Sequence, residues 1–455
     1  MFDLLVREGT IVDPVDGVYR GDIGIRDGRL AAILEPGAPA EARETIAAAG
    51  RHVFPGCIEP HTHIGYVRPF GDDVMSETGS AALGGVTTVM SFHRHYQSAQ
   101  PKPYDDFPEL VETIERNAHV DMALHFGILA ESQVVELEKY IDLGVSSFKF
   151  YMAYRGADGK TTGMINECDD GVLFEGLTTI GRHPHAVACV HCENTEIIAR
   201  YTKRVKAEGR DGLAAWNAAR PAFAEAEHVR RAAFFAELTN CHLYYVHIGA
   251  TEGLTEALLH KQRYERLTIE TCIHYLTITE ADDHIGNLAK VTPPIRAARD
   301  RERLWEGLKK GEIAIVATDH CSVPRSRKQG DIWTATPGFP GMATMLPVML
   351  TEGYRKRGMT LQQVAQATSL NAARAYNMFP RKGAIRVGSD ADLAIVDLEL
   401  ERVVDPATLG SSSDISLHEG QTLAGWPTHT ILRGQLVARD GKLLAKPGQG
   451  KFIRR

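Results

Sequence analysis

The stretch Pro55-Gly56-Cys57-Ile58-Glu59-Pro60-His61-Thr62-His63 sets two histidines one residue apart behind an apolar approach, Val53-Phe54. In an extended strand, side chains at i and i+2 share a face. His61 and His63 are therefore expected to present two imidazoles side by side at a strand end. Neutral imidazole suits borderline divalent ions such as zinc. The chain holds 19 histidines, so such a pair can also arise by chance. The polar residues further along decide between the two readings.

Outward from this stretch, short apolar runs alternate with amphipathic helices. The runs cover 53–58, 86–91, 122–128, 147–151, 186–190, 243–246, 267–272 and 313–317. Between them, segments such as 107–117, 132–143 and 252–264 carry apolar residues three and four apart, as at Val134, Leu137 and Ile141. Eight strand–helix units in succession predict an α/β fold, a (β/α)8 TIM barrel over residues 53–383. Helices at 342–357 and 361–376 would close it. Residues 1–52 read instead as short strands, at 4–6, 10–12, 22–25 and 30–33, punctuated by Asp16-Gly17 and Asp27-Gly28. After Val387-Gly388-Ser389-Asp390 the chain turns β again, at 393–396, 430–432 and 436–438. The two ends, 1–52 and 384–455, are expected to pack together as a small β-sandwich domain beside the barrel.

Composition narrows the function classes. A formal charge of -7 and a pI near 6.3 supply no attraction for nucleic acid. Met1-Phe2-Asp3-Leu4-Leu5-Val6 lacks the basic start and apolar core of a signal peptide. No apolar run reaches the ~18 residues of a membrane span. Seven cysteines without a framework spacing read as reduced thiols in a cytoplasmic protein. Cys189 and Cys192 form a CxxC, but on a strand they face opposite ways and read as core. No GxSxG elbow or phosphate loop appears.

Active sites of such barrels lie at the C-terminal ends of the strands. Those ends carry His61, His63, Lys149, His191, His247 and Asp319. Each has a bland alternative: a hydrogen-bonded core histidine, a lysine snorkelling to the mouth, an aspartate capping a helix. Six independent coincidences on one rim are less economical than one shared purpose, a metal site. His320 and Cys321 follow the aspartate and read as outer neighbours of it.

Longer motifs sharpen this reading. PGCIEPHTH at 55–63, GGVTTVMSF at 84–92, GVSSFKFYMAYRG at 144–156, VHCEN at 190–194, YYVHIGATEG at 244–253, KVTPPIR at 290–296, VATDHC at 316–321 and VGSDADLAIVD at 387–397 carry it, with EGQTLAGWPTHTILRGQLVARDGK near the C-terminus. Through them essentially the whole chain resembles the dihydropyrimidinases and hydantoinases of the amidohydrolase superfamily. The resemblance implies a hydrolase that opens a small cyclic amide with a metal-bridged hydroxide. It implies two divalent ions, zinc, bridged by a carbamylated Lys149. One ion would take His61, His63, Lys149 and Asp319, and the other Lys149, His191 and His247. Asp319 would move the proton to the leaving nitrogen, and Tyr154 would donate to the oxyanion. A homotetramer is implied too, with the tail 442–455 reaching across to a neighbouring subunit.

Several positions depart from the family pattern. Glu59 stands where Asp is usual, and Thr292 replaces Ser before two prolines. Pro337 takes the place of a substrate-contacting Asn, removing an amide side chain and an N–H. Gly156-Ala157-Asp158-Gly159-Lys160 suggests a flexible lid. The substrate walls are expected to be Tyr154, Thr292 and the 337–341 loop. Phe70, Met75, Tyr151 and Met152 would add an apolar rim that favours neutral or aromatic substituents over a carboxylate. Dihydroorotases and allantoinases share the metal chemistry. Dihydroorotases, however, carry an Arg two residues after the second histidine, where Gly65 stands here. Non-catalytic scaffolds that resemble this family have lost metal ligands, whereas all six positions are filled here.

Overall fold

The structure is a computed structural model and describes residues 1–95, 101–155 and 166–455. The N-terminal strands are β1 (Phe2–Asp13), β2 (Gly17–Arg26), β3 (Arg29–Leu34), β4 (Ala42–Ala47) and β5 (His52–Pro55). They join β14 (Leu393–Val403), β15 (Thr422–Leu432), β16 (Gln435–Arg439) and β17 (Lys442–Leu443) in one mixed sheet. Along that sheet β14 lies antiparallel to β5, and β5 parallel to β1, so the two chain ends meet across β5. Its core is aliphatic: Val6, Ile11, Ile23, Val53, Leu393, Ile395 and Ile431. The runs expected at 4–6 and 10–12 are one strand. A bulge between Val6 and Gly9 bends it, with Glu8 at φ 60°.

The strand expected at 53–58 is two strands. β5 belongs to the terminal sheet, and the first barrel strand, β6, runs Cys57–Thr62. The chain changes sheets at Gly56, where a Cβ would lie 2.2 Å from Thr87 Oγ1. Only glycine fits there, and an apolar run cannot reveal such a corner by itself.

Eight parallel strands follow in chain order: β6, β7 (Val86–His93), β8 (Asp121–Ile128), β9 (Ser147–Tyr151), β10 (Val187–His191), β11 (His242–Tyr245), β12 (Leu267–Cys272) and β13 (Ile315–Ala317). Backbone bonds close the ring, from His63 N to His320 O (2.8 Å) and from His320 N to His61 O (3.2 Å). The Glu59 carboxylate stitches the same seam, accepting from the His61 and Thr318 N–H groups at 2.9 and 3.3 Å. All residues of β7, β8, β9 and β10 are buried, as expected for a sheet covered on both faces. Ile58, Met90, Phe92, Cys189, Tyr244 and Ile315 share one cluster with Tyr376. The alternate residues, such as Val89, Leu124, Val190 and Tyr245, join the larger core outside. Cys189 and Cys192 fall in different clusters, and all seven cysteines are free thiols.

The helices depart from expectation mainly by breaking. The segment expected at 132–143 is two short helices, Glu131–Val134 and Leu137–Asp142. Those expected at 342–357 and 361–376 each contain a wider turn, over Met349–Arg355 and Gln366–Leu370. Among the described residues, no helix is long and apolar enough to cross a membrane.

The tail does not extend outward. Met122 N donates to Lys451 O, Ile453 N to Met122 O and Arg455 N to Gly144 O, at 2.8–3.0 Å. Ile453 is buried in the same cluster as Tyr376, and Arg455 donates to Leu124 O and Ser147 Oγ. The tail docks on this chain's own barrel floor. The main chain of the tail supplies the bonds that its few apolar side chains cannot. Beside it, Lys382 pairs with Asp121 (2.9 Å) and Asp392 (2.5 Å), and Arg433 also pairs with Asp121. This buried network ties the barrel to the terminal sheet.

Candidate active site and metal centre

The C-terminal rim of the barrel brings the six residues singled out in the sequence into one cluster. His61 and His63 flank the end of β6, Lys149 lies in β9 and His191 ends β10. His247 follows β11 by two residues, and Asp319 follows β13 by two. His63, Lys149, His191, His247 and Asp319 line one cleft, and His61 lies directly beneath it, fully buried. Asp319 Oδ1 is 3.2 Å from His61 Nε2 and 3.1 Å from His63 Nε2. His247 Nε2 is 3.0 Å from His191 Nδ1, and the His61 and His247 rings stack at 5.3 Å. His247 (φ 43°), Asp319 (φ 50°) and Tyr154 (φ 61°) all hold left-handed backbone. Such conformations are costly for these residue types and gather at functional sites.

Buried carboxylates orient the imidazoles from behind. His61 Nδ1–H donates to Glu270 Oε1 at 2.7 Å. Glu270 also accepts from the His247 N–H (2.8 Å) and the Tyr244 hydroxyl (2.7 Å). With Nδ1 the donor, the buried His61 Nε2 carries the lone pair and faces Asp319 Oδ1, with no donor bonded to it among the described residues. His191 Nε2–H likewise donates to Glu193 Oε2 at 2.8 Å, leaving Nδ1 to face the cluster. Arg220 clamps Glu193 through two bonds of 3.1 Å. These pairings set the tautomers that a metal requires, with each second nitrogen held by a carboxylate.

The electrostatics follow from burial and neighbours. Burial lowers His63 to about 4 and His247 well below the usual imidazole range, so both are neutral at pH 7. Burial also pulls on His61, but Glu270 overrides it and the net direction is upward. Burial would raise Asp319; His61 and His63 overcome it and hold the carboxyl well below its ordinary value. Burial brings Lys149 down to about 8, with its Nζ 4.4 Å from the Phe92 ring. Glu193 sits at about 2 because Arg220, then His191, outweigh its desolvation. The donor set suits divalent ions: lone-pair nitrogens converge within 3.2 Å of an ionised carboxylate. A free lysine ammonium in that position would repel them.

The same cleft holds Tyr154, Thr292, Pro337 and Gly338, together with Val291, Tyr66, Tyr151, Cys321 and Arg94. The expected apolar rim needs correction. Phe70 lines a neighbouring cavity, Met152 lies in the core, and Met75 is 42% exposed on the helix Phe70–Leu83. Arg94 occupies the wall instead. An exposed strand-end loop is hard to assign from sequence, whereas Glu270 left a signal: a carboxylate inside an apolar strand is rarely buried unpaired. Glu193, two residues beyond His191, left a weaker one, and Arg220 none. His320 bonds Glu77 at 2.9 Å, behind the cleft. The expected lid at 156–160 lies outside the described residues.

Comparison with known proteins places this geometry. The sequence model of the Amidohydrolase family matches residues 52–437. A D-hydantoinase of Ralstonia pickettii is 34% identical, over 100% of this chain and 99% of its own. An allantoinase of Rubrobacter xylanophilus is 35% identical, over 100% of this chain and 98% of its own. The solved structure of L-hydantoinase (dihydropyrimidinase) from Arthrobacter aurescens superposes with a TM-score of 0.94. It has 33% identity and full coverage of both chains.

Proposed function

This chain belongs to the amidohydrolase family, and from that premise we propose that it opens the ring of a cyclic amide of the hydantoin or dihydropyrimidine type. The observation that carries the reading is the convergence of four imidazoles, a lysine and an aspartate on the barrel mouth, two of the imidazoles oriented by buried carboxylates. His61, His63, Asp319, His191 and His247 would hold two divalent ions, zinc by the donor set, with Lys149 as a carbamate between them. When bound, such ions polarise an amide carbonyl and acidify water toward neutral pH.

The chain's own residues do the rest. Asp319, ionised and set in strained backbone, accepts the proton of the attacking water and returns it to the leaving nitrogen. The Tyr154 hydroxyl, beside His191 with ring centroids 5.3 Å apart, donates to the carbonyl oxygen as charge develops. Thr292 and Pro337, which line the same cleft, would contact the ring. The test is kcat/KM for hydantoins, dihydrouracil, allantoin, dihydroorotate and a linear amide, with metal analysis of the same preparation. Turnover of a ring with two ions per chain is expected; no ring opened by a metal-loaded protein overturns the reading.

The proposal extends to a homotetramer in the cytoplasm, consistent with seven buried free thiols. A monomeric mass by light scattering, or recovery from an extracytoplasmic fraction, would refute those parts.

A further inference from the structure

We propose that Arg94, with the hydroxyls of Tyr66 and Tyr151, forms an anion-binding subsite in the cleft, so that the preferred ring carries a carboxylate on its substituent. This rests on the ring-opening reading and specifies its substrate class. Arg94 directly follows β7, at the same rim as the cluster above; it is 7% exposed and lines the cleft. Its guanidinium offers a planar fork of N–H donors that matches a carboxylate.

Tyr151 lines the same cleft as Arg94 and offers a second donor. Gly127, near the end of β8, packs against both residues. A Cβ there would lie 3.2 Å from Tyr151 Cε2 and 3.4 Å from Arg94 Cβ. Tyr151 is 3% exposed, and its hydroxyl has no hydrogen-bond partner. A buried hydroxyl without a partner is costly, and a bound carboxylate oxygen would supply one. Tyr66 lines the same cleft, and burial pushes its phenol up to about 12, which keeps it a donor.

The surrounding charge points the same way. Asp319 is the only carboxylate among the described residues lining the cleft, and His61 and His63 engage it. Arg94 also borders a neighbouring cavity of about 400 Å³ that carries Arg68 and Lys102. Among the described residues the one carboxylate lining it, Asp106, is bonded to His95 at 3.0 Å, while Arg68 faces Asp73 at 3.8 Å. A substituent leaving the cleft past Arg94 thus meets a cationic border. The subsite is distinct from that of dihydroorotases, whose arginine position is occupied here by Gly65.

The test compares three hydantoins differing only at the end of the C5 side chain: carboxyethyl, its carboxamide, and aminopropyl. Wild type is expected to favour the carboxylate over the carboxamide by roughly 10- to 100-fold in kcat/KM, the range of one charge-assisted contact. Arg94→Met should collapse that ratio toward one, Arg94→Lys should keep part of it, and Arg94→Glu should turn the preference to the amine. A wild-type ratio near one, or a ratio that survives Arg94→Met, overturns the subsite while leaving ring opening intact. If wild type opens none of the three, the functional reading fails instead. Should Arg94→Met not fold, the wild-type ratio and Arg94→Lys decide.

Discussion

Lys149→Ala is expected to lose bound metal and activity together while the barrel remains folded. The lysine is 1% exposed, close to Phe92, in β9, and is paired with Gly127 on one side and Cys189 on the other. Alanine there leaves the ladder bonds in place. What it removes is the group proposed to bridge two ions as a carbamate. Burial holds the amine at about 8, so a fraction is unprotonated near neutral pH and able to take up CO2. Changes to groups that merely orient a ligand cost ~10–100-fold in metal affinity, so loss of a shared ligand should exceed that. Metal analysis of wild type and variant, with a 13C spectrum after labelled bicarbonate, checks both halves. The carbamate carbon should appear in wild type and vanish in the variant. Full metal content in Lys149→Ala would sink the carbamate.

Asp319→Asn separates the two roles proposed for this residue, ligation and proton transfer. Its carboxylate lies within 3.2 Å of two imidazole nitrogens, and the amide keeps the size and one oxygen of the original. Much of the metal should remain, whereas an amide cannot accept the proton of the attacking water. The expected loss is at least ~10²-fold in kcat, the usual scale for a general base. KM for the ring should move far less, since the walls are unchanged. Turnover near wild type with metal retained would place the proton elsewhere.

The chain order of chemistry-bearing residues was legible because in a parallel barrel each strand end is a local feature. A short apolar run predicts the strand, and the residue following it lies on the catalytic rim whatever happens elsewhere. His191 and His247 directly follow such runs and Asp319 and His61 come within three residues of theirs, and the cleft contains or rests upon each of them. Strand ends still shifted by a residue or two, as in β10 at Val187–His191, because pairing with neighbours sets the limits.

What the sequence by itself determined is therefore the barrel, its terminal β partner and the residues offered to the rim. What only the tertiary structure decided are contacts between segments far apart in the chain. Glu270 meets His61 across 209 residues, and Arg220 reaches Glu193 from a different loop. Gly56 divides an unbroken apolar run because Thr87 lies against it, and no periodicity encodes that neighbour. The tail folds onto Met122 and Gly144 through backbone bonds, to which side-chain pattern is blind. Arg94 lines the cleft packed beside Gly127, a residue of the next strand. Periodicity reports what each segment buries, but the identity of the facing atoms is set by distant residues. Specificity depends on those facing atoms.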